Sequence, residues 1–437
     1  MTTEVPLVVI VGGGFGGLAV AKDLRHAPVN VLVIDRSNHH VFQPLLYQVA
    51  TSVLASGQIA SPIRGLLAEQ ENTSVMLGDV VGVDTNSRQV IVDVDEKVGL
   101  RISYDYLVLA TGATHSYFGH DEFAKYAPGL KSLADAESLR NHILMSFERA
   151  EIEEDPDLRK ALMTFVMVGA GPTGVEMASA ISVMIRTTLR KDFRRISPES
   201  ARIVLADMAQ RPLGTFSENL SEAARLRLLE LGVEVRLGKA VQSIDEDGVI
   251  LGDERIPGRS VIWTAGVAPS PAGKWLGCEV DRAGRVRIRP DLTIQGHPNI
   301  FVIGDTSSLD QNGRPLPGVA QVAMQQGKYT AKSIFRKVTL KTPLPPFRYF
   351  DKGNLAVVGK NFAVLQSGRV KVSGFFAWLV WALIHIQFLA DSSLRFSVFL
   401  QWVWTYISGK RGARLIIQSR KSPLICPSEN PQGGRTG

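Results

Sequence analysis

Two glycine clusters carry the first chemical signal. Gly12, Gly14 and Gly17, within Gly12-Gly13-Gly14-Phe15-Gly16-Gly17, fit the GxGxxG spacing, and Gly169, Gly171 and Gly174, within Gly169-Ala170-Gly171-Pro172-Thr173-Gly174, fit it again. Each cluster follows an apolar run, Leu7–Val11 or Thr164–Val168, and precedes a stretch of helical composition. Glycine at these positions allows a tight turn and close approach of a pyrophosphate, which rests on the helix N-terminus. Each unit then ends a second apolar strand on an acid, Asp35 or Asp207, placed to bind adenosine ribose hydroxyls. An acid there repels a 2′-phosphate, so the second site suits NAD(H) over NADP(H). Arg211 nearby is the feature that would favour the phosphorylated cofactor.

Two dinucleotide sites in one chain suggest a relay in which one holds a flavin and the other delivers a hydride. Gly304-Asp305, after the apolar run Asn299–Ile303, supports the flavin, because a carboxylate at a strand end can hold the ribityl and pyrophosphate region. The repeat predicts an α/β fold with two Rossmann-like dinucleotide-binding domains. Hairpin-like strands are expected near Ser74–Asp84 and Gln89–Val94, and strands at Tyr104–Ala110 and Ser260–Thr264. A long helix is expected over about 319–336, and a hairpin over Asn354–Gln366 with Gly359-Lys360-Asn361 near its turn.

The chain resembles the two-dinucleotide-binding-domain flavoproteins and, more narrowly, the type II NADH dehydrogenases, which are single-subunit, non-proton-pumping NADH:quinone oxidoreductases. The resemblance spans residues 7 to about 407. It is carried by Gly12–Gly17, Phe42-Gln43-Pro44-Leu45-Leu46-Tyr47-Gln48, Asp105–Gly112, Gly169–Glu176, Gly304-Asp305 and Ala320-Gln321-Val322-Ala323-Met324-Gln325. The last of these is the most specific. The resemblance implies that the first fingerprint binds FAD and the second NADH. FAD contacts would then include Phe15, Gly16, Asp35, Arg36, Thr111, Gly112, Asp305, and Pro44 and Leu45 from a loop over the ring. Ala320 and Gln321 would sit at a helix N-terminus beneath the isoalloxazine, where a positive helix end suits the reduced flavin. NADH contacts would include Pro172, Thr173, Asp207, Ala265 and Gly266. Gln321 and Gln325 would line a quinone site, their amides donating to a carbonyl. Glu176 would lie near the flavin and nicotinamide, positioning cofactor or relaying a proton. The implied domains are residues 1–115 with 283–345 for FAD, 116–282 for NADH, and 346–437 for a C-terminal hairpin, membrane-association segment and basic tail.

Composition limits the alternatives. The 437 residues are 45% hydrophobic and 21% charged, which excludes whole-chain disorder. The two cysteines, Cys278 and Cys426, cannot build an all-cysteine metal site and suit a reducing compartment. No cysteine precedes Cys278, so the redox dithiol of disulfide reductases is missing, as are the paired cysteines that the related sulfide:quinone oxidoreductases need. His115, His120 and His297 show no metal-ligand spacing, and no metal is expected. No secretory leader is expected before the first strand.

The net charge is +7, and residues 409–437 supply +5 of it through Lys410, Arg411, Arg414, Arg420, Lys421 and Arg435 against Glu429. A neutral body with a basic end is not the pattern of a nucleic-acid protein; it suits either an anionic lipid surface or a solvated tail. The same two readings apply to Arg186, Arg190, Lys191, Arg194 and Arg195 in the second unit. Phe375–Ala390 and Phe396–Ile407 are almost wholly apolar yet shorter than a membrane span, and Trp378, Trp381, Trp402 and Trp404 fall within them. These features predict an amphipathic helical membrane anchor lying in one interface, its tryptophans at the headgroups. A homodimer interface or a core pair is the competing reading.

The expected protein is therefore an FAD-dependent NADH:quinone oxidoreductase of the respiratory chain, using ubiquinone or menaquinone and held peripherally on the cytoplasmic side of the cell inner membrane. A soluble ferredoxin- or rubredoxin-type reductase would lack the tryptophan-rich end. A sensor of the NADH/NAD⁺ ratio would bind nucleotide without quinone turnover.

Overall fold

The computed structural model describes residues 5–417. In chain order the elements that position the site are β1 (Leu7–Val11), α1 (Phe15–Asp23), β2 (Asn30–Asp35), α2 (Leu46–Ala50), β3 (Thr73–Leu77), β4 (Tyr106–Leu109) and α3 (Leu133–Ile152). The second unit follows as β5 (Thr164–Val168), α4 (Pro172–Val183), β6 (Arg202–Asp207), α5 (Glu218–Glu230), β7 (Val233–Leu237) and β8 (Ser260–Trp263). Then come β9 (Thr293–Ile294), β10 (His297–Val302), α6 (Ala320–Thr339), β11 (Asn354–Val357), β12 (Ala363–Ser367), β13 (Val370–Gly374), α7 (Phe375–Phe388) and α8 (Ser392–Ser408).

Two sheets carry the fingerprints. One has the order β9-β10-β4-β1-β2-β3, parallel except for the β9–β10 pair; the other is all parallel, in the order β7-β6-β5-β8. The central strands β1 and β5 are continuous apolar runs because both their faces are covered. This is an α/β dinucleotide-binding architecture.

Three local readings change. The expected strand Ser74–Asp84 is interrupted at Gly78: β3 joins the parallel sheet, and Asp79–Asp84 pairs antiparallel with Gln89–Val94. The hairpin of β11 and β12 gains a third strand, β13, which leads straight into α7. A three-stranded antiparallel sheet (Val241–Asp245, Gly248–Leu251, Glu254–Pro257), not anticipated, inserts before β8.

The C-terminal end is tied to the body. One apolar core runs from Leu45 and Tyr47 through Ile181 and Met184 to Trp381, Leu389 and Val398. The tryptophans are therefore not a uniform headgroup belt: Trp381 is 3% exposed and stacks on Trp402 at 5.1 Å, Trp378 and Trp402 are half-buried, and only Trp404 is strongly exposed. The basic end is divided likewise. Arg411 is buried and Arg414 pairs with Asp192, so neither is a free surface cation; Arg420, Lys421, Cys426, Glu429 and Arg435 lie outside the described residues. Among the described residues, no helix is long and apolar enough to cross a membrane.

Candidate active site

The two fingerprints fold identically in their hydrogen bonds. Gly12 donates to Ile34 and Gly169 to Ala206, each at 2.8 Å, which locks the turn against the neighbouring strand. Both glycines have positive φ, +103° and +112°, and a Cβ would strike Ala110 in the first case and Ala265 in the second. A Cβ on Gly17 or Gly174 would strike the carbonyl of Gly12 or Gly169, so these third glycines bring helix and strand together. Beyond Gly14 and Gly171 there is open space, and neither α1 nor α4 has a side-chain cap. Both helix starts thus present unsatisfied amides to a ligand.

Both acids hold backbone amides. Asp35 accepts from Gly13 N–H at 2.6 Å and Ser37 N–H at 2.7 Å; Asp207 accepts from Ala170 N–H at 2.5 Å and Ala209 N–H at 2.7 Å. Each carboxylate therefore holds its own glycine turn. Arg211 donates to the carbonyls of Phe216 and Gly214 in its own loop, which engages the guanidinium locally.

A cleft of about 1490 Å³, open mouth included, collects most of the first-site residues: Gly12, Gly14, Phe15, Gly16, Asp35, Arg36, Thr111, Gly112, Asp305 and Ala320 all line it. A second cavity extends it past Asp35 and Arg36 to Trp275. Gly17, Pro44, Leu45 and Gln321 are not on the cleft wall; Leu45 is fully buried in the core. The wall also holds residues that spacing did not reveal. Lys131 lies 3.8 Å from Asp305, and His40 bonds Gly13 O at 3.0 Å while packing edge-on to Phe15. No sequence pattern joins Lys131 to Asp305; only the fold does.

Gln321 and Gln325 have backbone partners. Gln321 donates to Gly353 O at 3.0 Å and accepts from Lys352 N–H at 3.3 Å; Gln325 donates to Phe350 O at 2.9 Å and accepts from Phe350 N–H at 3.0 Å. The two amides clamp the 350–353 strap onto α6 with one Nε2 hydrogen each, which leaves each NH2 a second N–H.

Glu176, just past the first turn of α4, accepts from Val357 N–H at 3.3 Å. Desolvation pushes its carboxyl up to about 8, against the opposing pull of that one hydrogen bond. Val357 also lines a largely apolar cavity of about 840 Å³ with Tyr47, Gln48, Trp378, Trp381, Trp402, Tyr406 and Arg411. Trp402 Nε1 donates to Gln48 Oε1 at 2.7 Å, and Gln48 Nε2 donates to the Tyr47 hydroxyl at 3.0 Å. An aromatic series connects cavity and cleft: Phe15 to Phe42 at 5.9 Å, Phe42 to His385 at 5.9 Å, and His385 to Trp381 at 4.5 Å. Burial holds His385 down to about 4, so it is neutral.

Residues 6–327 match the pyridine nucleotide-disulphide oxidoreductase family. The chain is 44% identical to the type II NADH:quinone oxidoreductase Ndh of Mycobacterium tuberculosis over 93% of its own length and 89% of that protein's. The chain belongs to the type II NADH:quinone oxidoreductases. A second such oxidoreductase of that organism, NdhA, is 41% identical, covering 94% of this chain and 89% of its own. The fold is that of NDH2 from Plasmodium falciparum, solved in complex with NADH: TM-score 0.86 and 19% identity over 95% of this chain and all of that one.

Proposed function

We propose that the first-fingerprint cleft holds FAD, that the α4 turn holds NADH, and that a membrane quinone reaches the apolar cavity from a bilayer surface. The net reaction is NADH + H⁺ + quinone giving NAD⁺ + quinol, with no ion translocation coupled to it. The observation that carries this reading is the cavity itself, which begins among Trp378 and Tyr406 of the exposed apolar end and runs to Tyr47 and Val357, beside Glu176.

The residues present fit FAD. The uncapped start of α1 suits the pyrophosphate, and open space at Gly14 leaves room for it. The start of α6, also without a side-chain cap, puts a positive helix end at Ala320 on the cleft wall. Asp305, beside Lys131, would hold the ribityl region. Bound FAD would supply reversible two-electron storage between nicotinamide and quinone. Asp207 and the α4 start would orient NADH, with Ala265 and Gly266 closing the floor. Glu176, protonated at neutral pH, could give a proton during quinol formation or take one from solvent afterwards.

The bilayer contact would be the exposed side of α7 and α8. Phe376 is 75% exposed, Ile407 78% and Trp404 59%, and Leu383 and Phe396 join them. So large an apolar patch marks an interaction surface, and helices this short lie in an interface rather than span it. The purified protein should show a flavin spectrum that NADH bleaches and quinone restores. A colourless preparation, or bleaching that quinone does not reverse, would overturn the reading.

A further inference from the structure

The C-terminal segment delivers a buried cation to the cavity. Gly409 ends α8 in the left-handed conformation, φ +66°, and turns the chain back beneath the protein. Arg411 follows and is 5% exposed. Its Nη1 donates to Thr51 O at 2.6 Å and, with Nη2, to Ala180 O at 3.5 and 3.4 Å. Thr51 caps α2, which bears Tyr47 and Gln48; Ala180 lies one turn beyond Glu176 on α4. The guanidinium therefore ties its own segment to α2 and α4, three of the segments that wall the cavity.

This cation has no carboxylate partner among the described residues. A buried charge without a counter-charge is costly, and burial here pulls the group down to about 9, still cationic at neutral pH. The acidic groups at this end of the cavity offer no compensation at pH 7. Burial holds the Tyr47 phenol well above its usual range, and Glu176 is protonated. Two backbone acceptors do not saturate the five N–H donors of an arginine. Tyr47 is similarly incomplete: its oxygen accepts from Gln48, and its own hydrogen has no acceptor among the described residues. A cation with donors to spare and a hydroxyl with a free hydrogen thus share one apolar cavity.

We propose that Arg411 is the anion-stabilising residue of quinone reduction, offsetting the negative charge that grows on the quinone oxygens while Tyr47 donates a hydrogen bond to the same ring. This rests on the reading of the cavity as the quinone site. Electrons and one proton come from NADH and the second proton from solvent; Arg411 is neither oxidised nor deprotonated. The preorganised charge acts where water is excluded, the condition under which such groups contribute most.

The test uses the flavin-loaded protein in phosphatidylcholine vesicles with a short-tailed benzoquinone, and stopped-flow absorbance to separate the half-reactions. Arg411→Met should slow flavin reoxidation by quinone on the order of 100-fold. Reduction by NADH and reoxidation by ferricyanide should stay within about twofold of the unmodified protein. Arg411→Lys should fall between, because an ammonium keeps the charge and loses the fork. Added guanidinium should restore quinone reoxidation in Arg411→Ala. Equal loss of all three rates, with no guanidinium rescue, would make Arg411 a packing residue and overturn the inference. Should Arg411→Met not fold, the Lys variant decides: a slowed quinone step with an intact NADH step supports the inference, and parallel losses overturn it. Thr405→Trp, which fills the cavity from α8, separates the two readings. If it leaves quinone reoxidation intact, the cavity is not the quinone site. If it blocks that step while Arg411→Met does not, only the role of Arg411 falls.

Discussion

The carboxyl of Glu176 and the backbone N–H of Val357 meet at 3.3 Å, joining the helix after the second fingerprint to the C-terminal sheet. That contact places an ionisable group between the nucleotide turn and the apolar cavity. Desolvation raises Glu176 to about 8, far above an ordinary carboxyl. The native state then binds a proton that the unfolded state releases near pH 4.5, so stability falls as pH rises from there through about 8. Glu176→Gln keeps an acceptor for Val357 and removes the titration. The melting temperature of the variant relative to the unmodified protein should rise between pH 5 and about pH 8 and level off above that. A difference independent of pH would show that Glu176 does not titrate there.

Nicotinamide choice follows from Asp207. Its carboxylate holds the Ala170 turn and would repel a 2′-phosphate, while Arg211 is engaged with its own loop. NADH should be oxidised far faster than NADPH, and Asp207→Ser should narrow the gap at some loss of NADH affinity, because the Ala170 bond weakens too. Steady-state kinetics with both cofactors check this. Equal rates in the unmodified protein would remove Asp207 from the selection.

The α6 glutamines give a third expectation. Gln325 satisfies both the N–H and the C=O of Phe350 at an exposed site where water can replace it, so Gln325→Ala should cost about 0.5–1.5 kcal/mol of stability. The loosened strap, residues 350–353, should become more sensitive to trypsin at Lys352. Because the strap runs directly into β11, which holds Glu176, quinone reoxidation should slow more than reduction by NADH. Unchanged proteolysis, or a defect confined to the NADH step, would contradict a clamp.

What the sequence conveyed, and what it did not, divides by distance along the chain. The glycine turns were legible because strand, turn, helix and acid are all local, and their geometry depends on φ at Gly12 and Gly169 and on space at Gly14 and Gly171. Lys131 beside Asp305, and Trp402 on Gln48, come from distant segments that only packing brings together. Composition gives the four tryptophans as one headgroup belt because it cannot tell which side of a short apolar helix meets the body. Trp381 faces the core while Phe376 does not. Charge counting places Arg411 in a basic tail for the same reason: the sharp turn at Gly409, which sends it inward, is a backbone event that composition does not show.

The division between inward and outward residues also decides how membrane attachment should be tested. Removing everything from Phe375 onward would take away Trp381, Leu389, Val398 and Arg411, which pack inside, so loss of binding would be mixed with loss of folding. Phe376→Ser, Leu383→Ser and Ile407→Ser together alter only exposed side chains. Each forfeits about 1.5–3 kcal/mol of apolar burial if its side chain enters the bilayer. The triple variant should therefore leave vesicles and stay in the supernatant, while the unmodified protein sediments with them even in high salt. NADH-to-ferricyanide turnover should persist, because both glycine turns and the cleft are untouched. Turnover with a long-tailed quinone confined to the bilayer should fall sharply, and a short-tailed, water-soluble one should remain a substrate. If the triple variant still sediments with vesicles, this apolar side is not the membrane contact. A change from dimer to monomer by light scattering in the same variant would assign it to a second copy of the chain.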